Sequence, residues 1–129
     1  MTDDELLQAA LKVRDQAHCP YSNFRVGAAL LDDTGALHVG CNVENAAYPQ
    51  GHCAEAGAIG SMVAAGGQRI TTIVIVGGGD SLRSCPPCGG CRQRILEFAD
   101  SDTRIIFQDD AGASMIFSID QLLPTSFRL

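Results

Sequence analysis

Two short segments of the sequence combine thiols with a carboxylate at spacings suited to metal chemistry. Cys53 stands two residues before Glu55, and Cys88 and Cys91 stand three residues apart, directly after Pro87. Three protein ligands leave the fourth tetrahedral position of a zinc ion free for water, which distinguishes catalytic zinc from structural zinc. Glu55 need not be a ligand, so it can move protons beside that position. The pattern therefore predicts a catalytic zinc site.

Two neighbouring residues offer alternative ligands. A site that adds Cys85 to the other three cysteines would be a closed, all-thiolate structural centre, and it would leave Glu55 without a role. His52 adjoins Cys53, but the two-residue spacing to Glu55 favours the cysteine as the ligand. We therefore expect His52 to be a loop histidine and the fourth coordination position to stay open.

Hydrophobic patterning predicts the elements that position these residues. Thr2 and Glu5 have the spacing of a capping box at the start of the first helix. Strands and helices alternate, which indicates an α/β layered fold with a mixed sheet. Gly77-Gly78-Gly79 lacks the spacing of a phosphate-binding loop and is interpreted as a turn. The predicted elements are a helix over 2–17, a hairpin of strands 24–31 and 36–43, a helix over 53–65, a buried strand 71–76, a helix over 88–99, strands 104–108 and 114–119, and a last helical turn before Pro124.

Both metal-binding segments fall at predicted helix N-termini. Free backbone N–H groups and the helix dipole favour a thiolate over a thiol at such a position. Cys88 and Cys91 are three residues apart on one helix, so their side chains share a face and can bind one ion.

Composition and charge restrict the class of partner. The 129 residues correspond to a single domain, 1–129, and the net charge of −6 disfavours a nucleic-acid polymer as the ligand. No apolar run approaches the roughly 20 residues needed to cross a bilayer, and the acidic N-terminus does not resemble a signal peptide. We therefore expect a cytoplasmic protein with no membrane partner, in which the six cysteines indicate a metal or catalytic role rather than disulfides. Cys19 and Cys41 are interpreted as buried small hydrophobic residues.

The chain resembles a small cytidine deaminase of the homotetrameric, three-cysteine type. Cys53-Ala54-Glu55 and Pro87-Cys88-Gly89-Gly90-Cys91 match the zinc signature of nucleobase deaminases. Residues 21–29, 42–48 and 122–127 match further stretches typical of that family. The resemblance implies a three-layer α-β-α fold with about five strands in a mixed central sheet. It also implies one Zn²⁺ per subunit and hydrolysis of cytidine and deoxycytidine to uridine and deoxyuridine, with release of ammonia, in pyrimidine salvage.

The resemblance also implies a role for individual residues. Cys53, Cys88 and Cys91 would bind the zinc ion, and Glu55 would take a proton from the attacking water and pass it to the base. Phe24 would pack on the pyrimidine ring, and Asn42 and Glu44 would hydrogen-bond the ribose 3′-hydroxyl. Without the resemblance, Asn42 and Glu44 would more simply be interpreted as residues of a polar turn. Ala54 would be a further substrate contact. The resemblance also implies a homotetramer with shared active sites, in which Ala46, Tyr48 and Phe127 reach the cavity of a neighbouring subunit.

One position departs from the family pattern. Many three-cysteine relatives have an arginine after the catalytic glutamate, where it hydrogen-bonds the ligand thiolates, and this chain has Ala56. Three thiolates on Zn²⁺ form a net negative cluster, which should make bound water less acidic. We expect the helix dipoles and Arg92 to offset part of that charge.

Three other functions remain open from the sequence. One is deamination of a modified cytosine nucleoside or of an antibiotic such as blasticidin S, although Glu44 and the intact 42–48 stretch favour an ordinary nucleoside. A second is editing of a polynucleotide, which the acidic balance and the low aromatic content of 5% oppose. A third is a non-catalytic zinc-stabilised interaction module.

Overall fold

A mixed β-sheet forms the middle of the molecule, and helices cover both of its faces. The computed structural model describes all residues from Met1 to Leu129. A short 3-10 turn, Tyr48–Gln50, precedes the second helix. The elements in chain order are α1 (Asp3–Arg14), β1 (Arg25–Asp32), β2 (Leu37–Cys41), α2 (Ala54–Ala64), β3 (Ile70–Gly78), β4 (Leu82–Arg83), α3 (Gly89–Glu97), β5 (Arg104–Gln108), β6 (Ser114–Phe117) and α4 (Ile119–Leu122).

The strand order is β2-β1-β3-β5-β6, and the short β4 pairs with the end of β3. β1 runs antiparallel to both β2 and β3, whereas β3 and β5 are parallel and are connected through α3. A parallel pair requires such a crossover, because a tight turn cannot return the chain to the same end of the sheet. The predicted mixed sheet of about five strands is therefore confirmed, with β4 as a small addition.

The alternation of side chains along the strands produces two separate cores. Ala29, Val74 and Val76 pack with Leu6 and Ala10 of α1 on one face of the sheet. Neighbouring strand residues point to the opposite face, because successive side chains alternate across a strand. There they pack against α2, α3 and α4 in a larger cluster that contains Ala28, Leu30, Ile73, Ile75, Ala58, Met62, Ile95 and Ile119, among others. The three-layer α-β-α prediction is confirmed.

Gly40 allows α2 to lie very close to β2. A Cβ atom at this position would sit 2.4 Å from both the Ala54 carbonyl oxygen and the Ala58 amide nitrogen. Only glycine permits that backbone approach, and it fixes the start of α2, where Cys53 lies, against the sheet.

Most predicted boundaries lie within about two residues of those in the structure, and two predictions need correction. The first helix has the predicted Thr2–Glu5 capping box but ends at Arg14 rather than near residue 17. The interpretation of Gly77-Gly78-Gly79 as a turn is wrong for its first two residues, because β3 continues through Gly78 and pairs there with β4. The sequence analysis did not predict β4, which turns back on β3 through residues 79–81 and forms a short hairpin with it. None of the helices is long and apolar enough to span a membrane.

Candidate active site

The N-termini of α2 and α3 bring three thiols together. Cys53 and Cys88 are the N-cap residues of these helices, and Cys91 follows in the first turn of α3. The three Sγ atoms lie within 4.8 Å of one another. Thiolates on a tetrahedral zinc ion, with Zn–S bonds of about 2.3 Å, would be about 3.8 Å apart. The donor set and its spacing therefore fit a zinc ion.

The other two residues considered as ligands lie outside this group. Cys85 lines the same cavity but packs on the backbone of β3, where a Cβ at Gly77 would be 2.6 Å from its Sγ atom. Burial raises the pKa of the Cys85 thiol to about 11, so it stays protonated at neutral pH. His52 is exposed and pairs through its backbone with Val43. The structure thus groups three cysteines. Cys85 is not among them, which disfavours the alternative of a closed, four-thiolate structural centre.

The thiols of the cluster interact with one another. Hydrogen bonds from Cys91 and then from Cys88 lower the pKa of Cys53 to about 6, against the opposing effect of burial. Donation to Cys53 and burial raise the pKa of Cys91. The cluster therefore favours a thiolate, the form that binds metal, first at Cys53.

Glu55 is buried beside this cluster, with 4% of its surface exposed. It is the second residue of α2, so it leaves the helix in a different direction from Cys53. Burial is the main cause that raises its pKa, and the charge of Cys53 adds to the effect. A carboxyl group whose pKa is raised toward neutrality is suited to both accept and donate a proton.

A cavity of about 660 Å³ opens above Glu55. Its volume lies within the range of small-molecule sites, which is roughly 300 to 1,000 Å³. Ala46 and Phe127 do not line the cavity of their own chain. The residues predicted to contact substrate that do line it are Phe24, Asn42, Glu44, Tyr48 and Ala54.

Hydrogen bonds fix the two polar side chains predicted to bind ribose. Glu44 accepts hydrogen bonds from the backbone N–H groups of Tyr21 and Ser22 and from the Ser22 hydroxyl. These bonds, the hydroxyl first, lower the pKa of Glu44, so the side chain is a carboxylate at neutral pH. Asn42 accepts from Val26 N at 2.8 Å and donates to Phe24 O at 2.8 Å, which ties the start of β1 to the loop after β2.

The residues that the resemblance assigned to a neighbouring subunit's cavity are exposed in the single chain. Tyr48 is 79% exposed and Phe127 is 69% exposed, and Ala46 also lies on the surface. Tyr21 and Tyr48 meet edge to face, with ring centroids 6.3 Å apart. Tyr48, which the resemblance assigned to a neighbouring subunit's cavity, also lines the cavity of its own chain, whereas Phe127 does not, and its contact with a neighbour stays a prediction.

Arg94, rather than Arg92, is the arginine in contact with the thiols. Arg92, the arginine expected to offset thiolate charge, instead donates from Nε to Pro87 O and from Nη1 to Leu122 O, each at 2.8 Å. Arg94 donates from Nη1 to Cys91 Sγ at 3.4 Å. Its position three residues after Cys91 on α3 is the signal that could have identified it. The sequence analysis also did not predict Arg83 as a residue of the site. Arg83 lines the cavity, and its guanidinium carbon is 5.9 Å from the centroid of the Phe24 ring.

Residues 1–108 match the family model described as the cytidine and deoxycytidylate deaminase zinc-binding region. The chain belongs to this family. The part of the deaminase chain matched by the family model contains α1 to β5 and all three cysteines of the cluster.

Two curated relatives and one solved structure illustrate the similarity across nearly the whole length. The chain is 37% identical to the cytidine deaminase of Halalkalibacterium halodurans, over 95% of this chain and 91% of the relative. It is 36% identical to the cytidine deaminase of Sporosarcina psychrophila, over 98% and 92% of the two chains. The crystal structure of cytidine deaminase from Burkholderia pseudomallei superposes with a TM-score of 0.89 at 39% identity, covering 98% of this chain and all of that one.

Proposed function

We propose that this member of the deaminase family hydrolyses cytidine and deoxycytidine to uridine and deoxyuridine and releases ammonia. The observation that carries the proposal is a buried carboxyl group, Glu55, beside three clustered thiols at the base of a nucleoside-sized cavity. The relatives named cytidine deaminase support the same substrate class. A place in pyrimidine salvage and a cytoplasmic location are parts of this proposal.

Cys53, Cys88 and Cys91 would hold one Zn²⁺ per subunit. Zinc, when bound, supplies a Lewis acid that makes water nucleophilic at neutral pH. The placement of Cys53 and Cys88 at helix N-caps supports thiolate character in these ligands.

Glu55 would move the protons of the reaction. It would take a proton from the water that attacks the amine-bearing ring carbon and deliver it to the adjacent ring nitrogen. It would then help to protonate the departing amine, so that water and cytidine become uridine and ammonia. The pKa of Glu55, which burial raises, supports this double role, because a raised pKa makes the carboxylate a stronger proton acceptor than an exposed carboxyl group.

Four other residues that line the cavity would bind the nucleoside. The Phe24 ring would pack on the pyrimidine, and the Glu44 carboxylate would accept a hydrogen bond from a ribose hydroxyl. Asn42 already uses one N–H and one lone pair of its amide oxygen on the backbone, and the second lone pair of that oxygen could accept a hydrogen bond from the sugar. Ala54, as the first residue of α2, has a backbone N–H without an intrahelical partner.

We propose in addition a homotetramer in which neighbouring subunits complete each cavity. Tyr48 at the cavity and Phe127 near the end of the chain are exposed aromatic side chains that a second copy would bury. Ala46, on the same exposed loop as Tyr48, would belong to this contact.

Purified, zinc-loaded protein tests the proposal directly. The substrates to compare are cytidine, deoxycytidine, CMP, a cytosine-bearing oligonucleotide and blasticidin S, with release of ammonia and loss of ultraviolet absorbance as readouts. Turnover of the two nucleosides is expected. Turnover of the antibiotic alone would favour the alternative substrate class, and zinc binding without any ammonia release would indicate a non-catalytic zinc module.

A further inference from the structure

Arg94 is the cationic side chain that contacts the thiol cluster. Its Nη1 atom donates to Cys91 Sγ at 3.4 Å. The guanidinium lies over the first turn of α3, where a Cβ at Gly90 would be 3.5 Å from the same nitrogen atom. The arginine and its thiol therefore belong to one helix, and the contact requires no movement of another element.

The cluster needs a positive neighbour because its own charges do not balance. Three thiolates around one Zn²⁺ carry a net charge of about −1, and the buried carboxyl of Glu55 can add another. The residue after Glu55 on α2 is Ala56, which is uncharged. The guanidinium of Arg92 donates hydrogen bonds to two backbone carbonyl groups. Arg83 lines the cavity, but its guanidinium faces the Phe24 ring instead of a thiol.

We propose that Arg94 is a positioning residue of the metal centre, whose positive charge holds the Cys91 thiolate and strengthens the binding of zinc. The inference rests on the proposed zinc site and adds a residue that is not a ligand. Outer-shell partners of metal ligands typically contribute about 10- to 100-fold to metal affinity. Arg94 is exposed to solvent, which screens its charge, so we expect an effect of about tenfold.

The test measures zinc affinity by competition with a chelator of known affinity. Arg94→Gln removes the charge but keeps a polar side chain, and Arg94→Lys keeps the charge. Lys12→Gln is the matched control, because Lys12 is an exposed cation on α1, across the sheet from α3. We expect Arg94→Gln to weaken zinc binding about tenfold, and Arg94→Lys and Lys12→Gln to stay within about twofold of the wild type.

A second measurement separates metal binding from folding. Arg94→Gln should unfold at the same temperature as the wild type when zinc is removed from both, and at a lower temperature when zinc is present at a limiting concentration. Equal zinc affinity of wild type and Arg94→Gln, or equal losses in the Gln and Lys variants, would overturn the inference while leaving the zinc site intact. Failure of the wild type itself to bind zinc would overturn the metal centre and, with it, the role of Arg94.

Discussion

Cys53 and Cys88 occupy the same position in two different helices: each is the N-cap residue, with extended backbone, of the helix that follows it. The unpaired N–H groups at both helix starts are therefore directed at one cluster of sulfur atoms. Neither side chain makes a capping hydrogen bond, so both thiols remain free for a ligand.

Replacement of a buried ligand should remove the metal. We expect Cys91→Ser to lower the zinc content from about one ion per chain to a small fraction, because a serine hydroxyl is a poor ligand for zinc at neutral pH. Cys41→Ser is the control, since Cys41 is a free cysteine outside the cluster and should keep full zinc content. Metal analysis after dialysis measures both. Full zinc content in the Cys91 variant would exclude this residue as a ligand.

Loss of the buried carboxyl group should abolish turnover without loss of zinc. Glu55→Gln preserves the shape of the side chain but cannot transfer protons, and we expect kcat to fall by about 10²- to 10⁴-fold. Glu97→Gln, on the exposed side of α3, removes the same charge and should retain activity. Steady-state kinetics of both variants, with zinc content measured in parallel, make the comparison. A kcat close to that of the wild type in Glu55→Gln would refute the proposed proton transfer.

Two glycine-to-alanine changes should have opposite effects on stability. Gly40→Ala places a Cβ 2.4 Å from the α2 backbone, so we expect destabilisation of about 1 to 3 kcal/mol, and weaker zinc binding as the start of α2 is displaced. Gly60→Ala lies within α2, where an added Cβ meets nothing within 4 Å, and it should stabilise by about 0.5 to 1 kcal/mol. Urea unfolding of the zinc-loaded proteins measures both. Equal stability of the two variants would contradict the close packing of β2 on α2.

The pair formed by Asp32 and His38 should make stability depend on pH. Asp32 is 3% exposed and accepts hydrogen bonds from Thr34, from Ala36 N and from His38 Nε2. Hydrogen bonds from the Thr34 side chain and then from His38 hold the pKa of Asp32 well below its usual value. A lowered pKa in the folded state stabilises the protein above the unfolded-state pKa of about 3.9, and this contribution is lost as the pH falls below it.

We therefore expect Asp32→Asn to lower the urea midpoint clearly at pH 7 and progressively less as the pH falls below about 4. Asp102→Asn is the control, because Asp102 is exposed and its carboxyl group accepts no hydrogen bond. Urea titrations at several pH values follow the difference between variant and wild type. A difference that stays constant between pH 7 and pH 3 would show that ionisation of Asp32 contributes nothing.

If neighbouring subunits complete the cavity, Phe127→Ala should affect assembly and substrate binding together. We expect a smaller assembly in sedimentation and a higher KM, because the exposed ring would no longer contribute to a neighbour's site. Ile116→Ala removes an exposed apolar side chain of β6, outside the cavity, and should leave KM unchanged. An unchanged KM and an unchanged assembly in Phe127→Ala would count against shared sites.

Short-range patterns in the sequence predicted the features that depend on neighbouring residues. The Thr2–Glu5 capping box and the helix that begins after Cys53 both agree with the structure. The grouping of Cys88 and Cys91 on one helix also follows from spacing alone. These features are determined within one or two helical turns, where backbone geometry fixes the distance between side chains.

Tertiary structure alone decided the features that depend on distant segments. Arg92 directly follows Cys91 in the sequence, but the packing of α4 brings the Leu122 carbonyl to the Arg92 guanidinium, which donates a hydrogen bond to it. The close approach of Gly40 to α2 likewise joins segments that no local pattern relates. Such contacts arise from how the layers pack on one another. Composition and spacing specify each element, but the distance between two elements is set by the side chains between them.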